Sequence, residues 1–258
     1  MRKRQQILKT FVDVSSLENV LSIIDNSLSA NRNIIKSKYV CLFNVHMCME
    51  AYYDKSFCKL LNDADLVLAD GFPISVAQKL LGNSDSKQIR GIDLTLALCE
   101  YANKNNIKIG FLGSTNQTLL NLIKKIRNRF NEIDISYVHS PPFREQNKSE
   151  FSEMVSEINK SDIKILFVGL GCPKQEKWMS NLKKELNCYM FGVGAVFDFI
   201  GGNKKEAPKL LQKLGLEWLF RLLSEPKRLW KRYLKYNPLF IIFFILQLFK
   251  YYRNGTHE

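Results

Sequence analysis

The feature that most restricts this chain is a repeated switch between two periodicities. Short apolar or β-branched runs recur at Tyr39–Phe43, Leu66–Ala69, Ile107–Leu112, Ile133–Val138, Ile163–Val168 and Cys188–Gly192. Between them, apolar residues repeat at helical spacing. In Ser16–Leu28 the stripe is Leu17, Val20, Leu21, Ile24 and Leu28, with Ser15 or Ser16 suited to the N-cap. In Thr115–Phe130 it is Leu119, Leu122, Ile123, Ile126 and Phe130. Gln146–Asn159 and Pro173–Leu186 read as further helices, Pro173 fitting a first turn. Such alternation predicts an α/β fold: a mostly parallel sheet covered by helices on both faces. Ligands of such sheets bind beyond the carboxyl ends of the strands, so the loops that follow strands carry the functional question.

The alternation stops after Gly202. Ala207–Leu223, broken near Gly215, and Pro226–Tyr236 read as helices that lead into an apolar run, Leu239–Phe249. Residues 1–202 are therefore expected to form the core and 203–258 an appendage. The net charge of +13 concentrates there: Asn203–Arg253 holds twelve basic residues against three acidic ones. The apolar run has 11 residues with one polar member, short of the roughly 20 that a spanning helix needs. Lys235, Tyr236, Lys250, Tyr251, Tyr252 and Arg253 flank it, which suits an anionic membrane surface. A core helix or a contact with a second copy, giving a homo-oligomer, is the plain alternative. At the other end, Met1-Arg-Lys-Arg is followed by no apolar stretch of signal-peptide length.

Hydrophobic residues make up 46% of the chain, too many for a disordered polymer, and 13 Gly with 7 Pro exclude collagen-like or low-complexity sequence. The six cysteines (41, 48, 58, 99, 172, 188) contain no C-x-x-C pair, so they read as reduced thiols and not as a metal site.

The loops after strands hold the polar chemistry. Asn44 follows the first main run and suits either a ligand contact or a helix N-cap. His46 beside it reads as a packed or surface histidine. Asp70, before Gly71 and Pro73, stands where a general base would face the crevice; an Asp-Gly turn with a capping carboxylate is the plain alternative. Gly113-Ser-Thr115 opens a helix and would welcome a phosphate. Gly169-Leu-Gly-Cys-Pro-Lys-Gln-Glu176 is flexible and brings Gly171, Pro173, Lys174, Gln175 and Glu176 to a helix start, where a nucleotide diphosphate could be cradled. Gly192-Val-Gly194 allows close backbone approach, and Asp198 could bind a ribose or base edge. Asp63-x-Asp65 has the spacing of a metal motif but precedes a strand, where a helix end is the better reading.

These segments, taken in order, resemble the WecG/TagA/CpsF glycosyltransferases: Asn44, Asp70-Gly71, Gly91-x-Asp93, Gly171-x-Pro173-Lys-Gln-Glu176, Gly192-x-Gly194-Ala-x-x-Asp198, Gly215-Leu-Glu-Trp-Leu-Phe-Arg221 and Glu225-Pro-x-Arg-Leu-Trp230. The resemblance runs from about Ile7 to Tyr236. It implies inverting, metal-independent transfer of a hexose, N-acetylhexosamine or uronate from a UDP-sugar to a polyprenyl-diphosphate-linked saccharide. Such enzymes act at the inner face of the bacterial cytoplasmic membrane and build capsule, O-antigen or teichoic-acid linkage units. By position, the resemblance makes Asp70 the catalytic base and puts Asn44 beside the sugar and diphosphate. It puts Gln175 and its loop on the nucleotide, and has Arg221, Arg228 and Lys231 supply cations. Gly71, Arg90, Asp93, Gly113, Gly194 and Asp198 complete the expected binding set, with no metal ligand and no cofactor besides the donor. Three positions depart from the family pattern: Leu42 where Thr is frequent, Gln88 where Arg is frequent (with Arg90 nearby), and Glu206 where Arg is usual.

The fold expected is thus a Rossmann-like sheet plus a C-terminal helical appendage that associates with a membrane. Two other classes compete for the function. A non-catalytic subunit of a polysaccharide assembly complex is prompted by Leu42 and Gln88. A nucleic-acid-binding protein is prompted by the charge, but the basic residues share helices with Trp218, Trp230 and an apolar tail, so nucleic acid is not an expected partner.

Overall fold

The structure is a computed structural model that describes residues 3–29, 37–142, 144 and 147–253. It opens with an antiparallel hairpin, β1 (Arg4–Ile7) and β2 (Thr10–Asp13). The sequence pattern does not mark these strands, because each has four residues of mixed polarity. There follow α1 (Leu17–Ser29), β3 (Lys38–Phe43), α2 (Val45–Tyr53), α3 (Lys55–Asn62), β4 (Leu66–Ala69), α4 (Phe72–Leu80) and α5 (Gly91–Lys104). Next come β5 (Ile109–Gly113), α6 (Asn116–Arg129), β6 (Ile135–His139), α7 (Lys148–Lys160), β7 (Ile165–Gly169), α8 (Lys174–Leu182), β8 (Tyr189–Gly192) and α9 (Val196–Gly201). The chain continues through α10 (Lys209–Lys213), α11 (Glu217–Ser224) and α12 (Pro226–Arg253).

The eight strands form one sheet in the order β1-β2-β4-β3-β8-β7-β5-β6, parallel except for the hairpin. This is the α/β architecture that the alternation predicts. Ile165, Phe167 and Phe191 face one side of the sheet; Leu166, Val168 and Met190 face the other. Period-two alternation within fully apolar strands therefore feeds two separate cores. One face is covered by α1, α5, α6 and α9, through residues such as Val20, Leu98, Leu122 and Phe197. The other is covered by α2, α3, α7 and α8, through Met47, Phe57, Met154 and Met179.

Local chemistry fixes the helix starts. Ser16 Oγ accepts from the Asn19 N–H at 3.3 Å, and Thr115 Oγ1 accepts from Thr118 N at 3.2 Å. Asn147 and Glu150 form a reciprocal capping box at the start of α7; Gln146, where the sequence pattern begins this helix, lies outside the described residues. Asp63 is the C-cap of α3, while Asp65 accepts from Tyr39 N at 3.0 Å and pairs with Lys183 at 2.8 Å. The Asp-x-Asp pair thus serves a helix end and the sheet.

The appendage differs from expectation in one respect. A helix ending at Tyr236 and a separate apolar run are instead one 28-residue helix, α12, which passes through Pro238. Pro238 lies on the exposed face, so water can serve the carbonyl that loses its N–H partner. The break near Gly215 does occur: Gly215 has φ +71°, and a side chain there would collide with the Phe72 ring. The end of α12 returns to the core. Phe240 and Phe244 are buried in it, Gln247 Oε1 accepts from Leu8 N at 2.8 Å, and the Tyr251 and Tyr252 hydroxyls donate to the carbonyls of Leu81 and Leu80. The opposite face of this half is apolar and exposed: Ile241, Ile242, Ile245, Leu246 and Phe249. Among the described residues no helix is long and apolar enough to cross a membrane.

Candidate active site

The carboxyl ends of β3, β4, β7 and β8 meet the start of α5 and the appendage helices around a cavity of about 210 Å³. At its floor β4 ends in Asp70, whose backbone N–H donates to the Phe43 carbonyl at 3.0 Å. Oδ1 of Asp70 accepts from the Gly91 N–H at 2.9 Å, and the Asp70 carbonyl accepts from Gln88 Nε2 at 2.7 Å. Asn44 takes the N-cap place. Its Oδ1 caps α2 by accepting from Met47 N at 3.2 Å, and the residue lines the cavity together with Asp70. Burial pushes the Asp70 carboxyl up to about 6; the Gly91 bond opposes this, Glu217 adds to it, and Arg221 and Asn44 draw it back.

Glycine makes the floor possible. A Cβ at Gly91 would stand 2.9 Å from both Leu42 Cδ1 and Val196 Cγ2. Gly71 lets the β4–α4 turn pass Asn44, its would-be Cβ 3.2 Å from the Asn44 Cα. Gly71 therefore shapes the turn from outside the cavity.

The loop after β7 supplies one wall. Gly171, Cys172 and Gln175 line the cavity. Gln175 Oε1 accepts from Gly171 N at 3.1 Å, and its Nε2 donates to Glu176 Oε1 at 2.7 Å. Glu176 is fully buried beneath this wall and Lys174 points into solvent. Pro173 stands at the N-cap of α8. The loop after β8 adds Gly192 and Gly194, the latter at φ +58°.

The appendage supplies the cations. Arg221 lies over the Phe199 ring, 5.3 Å from its centroid, and Arg228 and Arg232 project from successive turns of α12. The Nε atoms of Arg221 and Arg232 are buried with no hydrogen-bond partner among the described residues. Burial and then repulsion from Arg221 and Arg228 lower the Arg232 pKa. Concentrated guanidinium charge with unfilled donors is an environment made for an anion.

Arg90, the fourth guanidinium on the cavity, is already engaged: it pairs with Glu217 at 3.2 Å, Glu206 at 3.3 Å and Asp93 at 3.5 Å. Two of the three departures from the family pattern thus have local partners. Glu206 meets Arg90, and Gln88 holds the backbone of Asp70. The third, Leu42, packs in the core beneath the cavity floor.

Several expected binding residues lie elsewhere. Asp93 lies beyond the cavity, its carboxylate half exposed on Arg90; Gly91 and Ile92 are the members of that motif that touch the site. Gly113 is separated from the cavity by β7, since β5 is the next strand outward and a Cβ there would meet the Gly169 backbone at 2.6 Å. Asp198 pairs with Lys204 at 3.0 Å, Lys204 with Glu225 at 3.2 Å, and Glu225 with Arg228 at 2.7 Å. It therefore braces the appendage. Lys231 is exposed over the Trp230 ring. Arg232 takes the inward place; both it and Lys231 follow Arg228 at helical spacing, so packing and not period selects between them. Glu217, from the Gly215-Leu-Glu-Trp segment, is a further charged lining residue to which the motifs assign no role. His46 packs against Tyr236, with ring centroids 5.5 Å apart, and burial followed by Arg232 drives its pKa down to about 3. The cysteines are all free thiols.

The profile of the family described as Glycosyl transferase WecG/TagA/CpsF matches residues 5–254, which carries the likeness past Tyr236 through α12. An N-acetylglucosaminyldiphosphoundecaprenol N-acetyl-beta-D-mannosaminyltransferase of Bacillus spizizenii is 27% identical over 225 residues, covering 84% of this chain and 85% of its own. One of the same name from Staphylococcus aureus is 27% identical over 226 residues, 87% of this chain and 84% of its own. With a match across nearly its whole length, this chain belongs to the WecG/TagA/CpsF glycosyltransferase family.

Proposed function

We propose that the enzyme transfers an N-acetylmannosamine-type sugar from a UDP-sugar to a saccharide carried on a lipid diphosphate, with inversion and without a metal. The observation that carries this reading is the juxtaposition of one raised carboxyl, Asp70, with three guanidinium groups, Arg221, Arg228 and Arg232, across a single cavity. Asp70 takes the proton from the acceptor hydroxyl as that oxygen bonds to the anomeric carbon. The bond from that carbon to the diphosphate oxygen breaks on the opposite side, and UDP leaves with the negative charge. The appendage arginines stabilise the departing diphosphate. A carboxyl near 6 suits a base at neutral pH: it is mostly ionised yet more basic than an ordinary aspartate. The exposed apolar stripe of α12 and its basic neighbours dock on the anionic inner face of the bacterial cytoplasmic membrane, where the acceptor resides.

The test is a transfer assay with the purified full chain, labelled UDP-N-acetylmannosamine and a lipid-linked N-acetylglucosaminyl diphosphate, with and without EDTA. A β-linked disaccharide product, formed equally with EDTA, is the expected result. An α-linked product overturns the inverting mechanism, loss of activity in EDTA overturns metal independence, and absence of transfer or binding across UDP-hexoses, UDP-N-acetylhexosamines and their uronates overturns the UDP-sugar donor.

A further inference from the structure

Glu176 is 0% exposed and belongs to neither the base nor the arginine cluster. Its surroundings are the thiols of Cys41 and Cys172 and the apolar core around Met179. Oε2 has no hydrogen-bond partner among the described residues. A buried carboxyl with an unfilled oxygen weakens a fold, and an aliphatic side chain of similar volume would be cheaper there. Stability therefore gives no account of a carboxyl at this position.

Its one strong contact does. Oε1 accepts from Gln175 Nε2 at 2.7 Å. The other end of the same carboxamide, Gln175 Oε1, accepts from Gly171 N at 3.1 Å, and the Gln175 backbone N–H donates to the Gly171 carbonyl at 2.9 Å. The amide is thus held at both ends with opposite polarity. Rotating it by half a turn would set its NH2 against the Gly171 N–H and, with Glu176 ionised, its oxygen against the Glu176 oxygen, two repulsive contacts in place of two bonds. An Nε2 group has two protons; Glu176 takes one. The second is left beside Gly192 and Gly194, where Nε2 lies 3.0 Å and 3.9 Å from the places that side-chain carbons would occupy. Glycine at both positions keeps that nitrogen uncovered.

We propose that Glu176 is a positioning residue that locks the Gln175 carboxamide in one orientation, so that a single amide N–H is presented to an acceptor oxygen of the bound donor. Glu176 touches no substrate; it acts through Gln175. Its burial raises the carboxyl pKa to about 7, in keeping with a group kept for geometry at a cost in solvation. The lock itself is a property of the free protein, while the consequence for donor binding rests on the UDP-sugar reading above.

Two measurements separate these layers. The first is hydrogen exchange at the Gly171 amide in the ligand-free full chain. Glu176→Met removes the acceptor and is expected to speed that exchange roughly tenfold, the equivalent of one lost hydrogen bond. Glu176→Gln, which retains an acceptor oxygen, is expected to stay within about threefold of wild type. The second is UDP-sugar affinity by calorimetry and the split of KM against kcat. Glu176→Met is expected to weaken donor binding roughly tenfold with kcat little changed, Gln175→Ala to do the same, and the double variant to lose no more than either. The exchange of the pair, Gln175→Glu with Glu176→Gln, rebuilds a donor and an acceptor but puts no N–H in the cavity. It is expected to regain slow Gly171 exchange without regaining donor affinity, and it serves if Glu176→Met does not fold. Unchanged Gly171 exchange in folded Glu176→Met overturns the lock, whatever the ligand. A Glu176→Met loss that is undiminished in the Gln175→Ala background overturns the action through Gln175. If wild type binds no UDP-sugar, the donor reading fails and the exchange data alone decide the lock.

Discussion

Oδ1 of Asp70 and the backbone N–H of Gly91 meet at 2.9 Å although 21 residues separate them. The bond ties the end of β4 to the first turn of α5, and it forms because Gly91 approaches closely between Leu42 and Val196. Gly91→Ala would push a methyl into both side chains and draw the N–H away from the carboxylate. We expect kcat to fall at least about tenfold with little change in donor Kd, as single-turnover kinetics and calorimetry would show. Unaltered kcat would mean that Asp70 needs no such support.

Asp70→Asn should lower kcat by about 10²–10⁴ while the fold is retained. In the wild type, kcat/KM should rise as pH passes through about 6, because the base must lose its proton. Stability runs the other way. The folded pKa is above the ordinary value of 3.8, so the stability associated with the protonated group is fully present below 3.8 and is lost as pH rises through 6. The Asn variant should therefore be more stable than wild type by up to about 3 kcal/mol at pH 7.5, with the advantage fading near pH 4. Urea melts at the two pH values measure this.

Arg232 and Lys231 are neighbours with opposite outlooks, one on the cavity and one over Trp230 in solvent. In a detergent-solubilised assay Arg232→Ala should reduce kcat/KM by roughly 10²-fold, in line with a lost charge-assisted contact to the leaving diphosphate. Lys231→Ala should stay within about twofold. The reverse ranking would place the cation on the wrong side of α12.

The apolar stripe of α12 makes a third kind of claim. Ile241, Ile245 and Phe249 are 55%, 44% and 71% exposed, so changing all three to Ser should leave the melting temperature nearly unchanged. The partition coefficient onto anionic vesicles should drop by about 10²-fold or more, each of the three side chains losing about 1–3 kcal/mol of burial in lipid. Truncation after Tyr236 is a different experiment, because it also removes Phe240 and Phe244 from the core and should lower the melting temperature. Vesicle binding unaffected by the triple change would exclude this face as the anchor.

Arg90 joins the core to Glu206 and Glu217 of the appendage. Glu206 lies outside the cavity, so Glu206→Gln probes the joint without touching the substrate. We expect a KM increase of about two- to threefold that vanishes in 0.5 M salt, the mark of a part-exposed ion pair. A larger change confined to kcat would give Glu206 some other part in the reaction.

What the sequence by itself determined is whatever depends on local period and local chemistry. Strands such as Leu66–Ala69 and helices such as α6 are written in apolar spacing and capping residues, and the placement of Asn44 and Asp70 in loops after strands, and of Gln175 at the start of the helix after one, follows from that alternation. The hairpin β1–β2 is not written there, since four-residue strands carry too little pattern. Which loops share a cavity was decided only by strand order: β7 and β8 stand between β5 and β3, so Gly192 and Gly171 reach Asp70 and Gly113 does not. Which cation faces the site was decided by the rotational setting of α12, fixed by Phe240 and Phe244 packing far along the same helix. Composition located the positive charge in the appendage; only packing turned Arg221, Arg228 and Arg232 toward Asp70, left Lys231 in water and bound Arg90 to Glu217, because burial and helix phase are properties of the whole assembly of elements and not of any segment read alone.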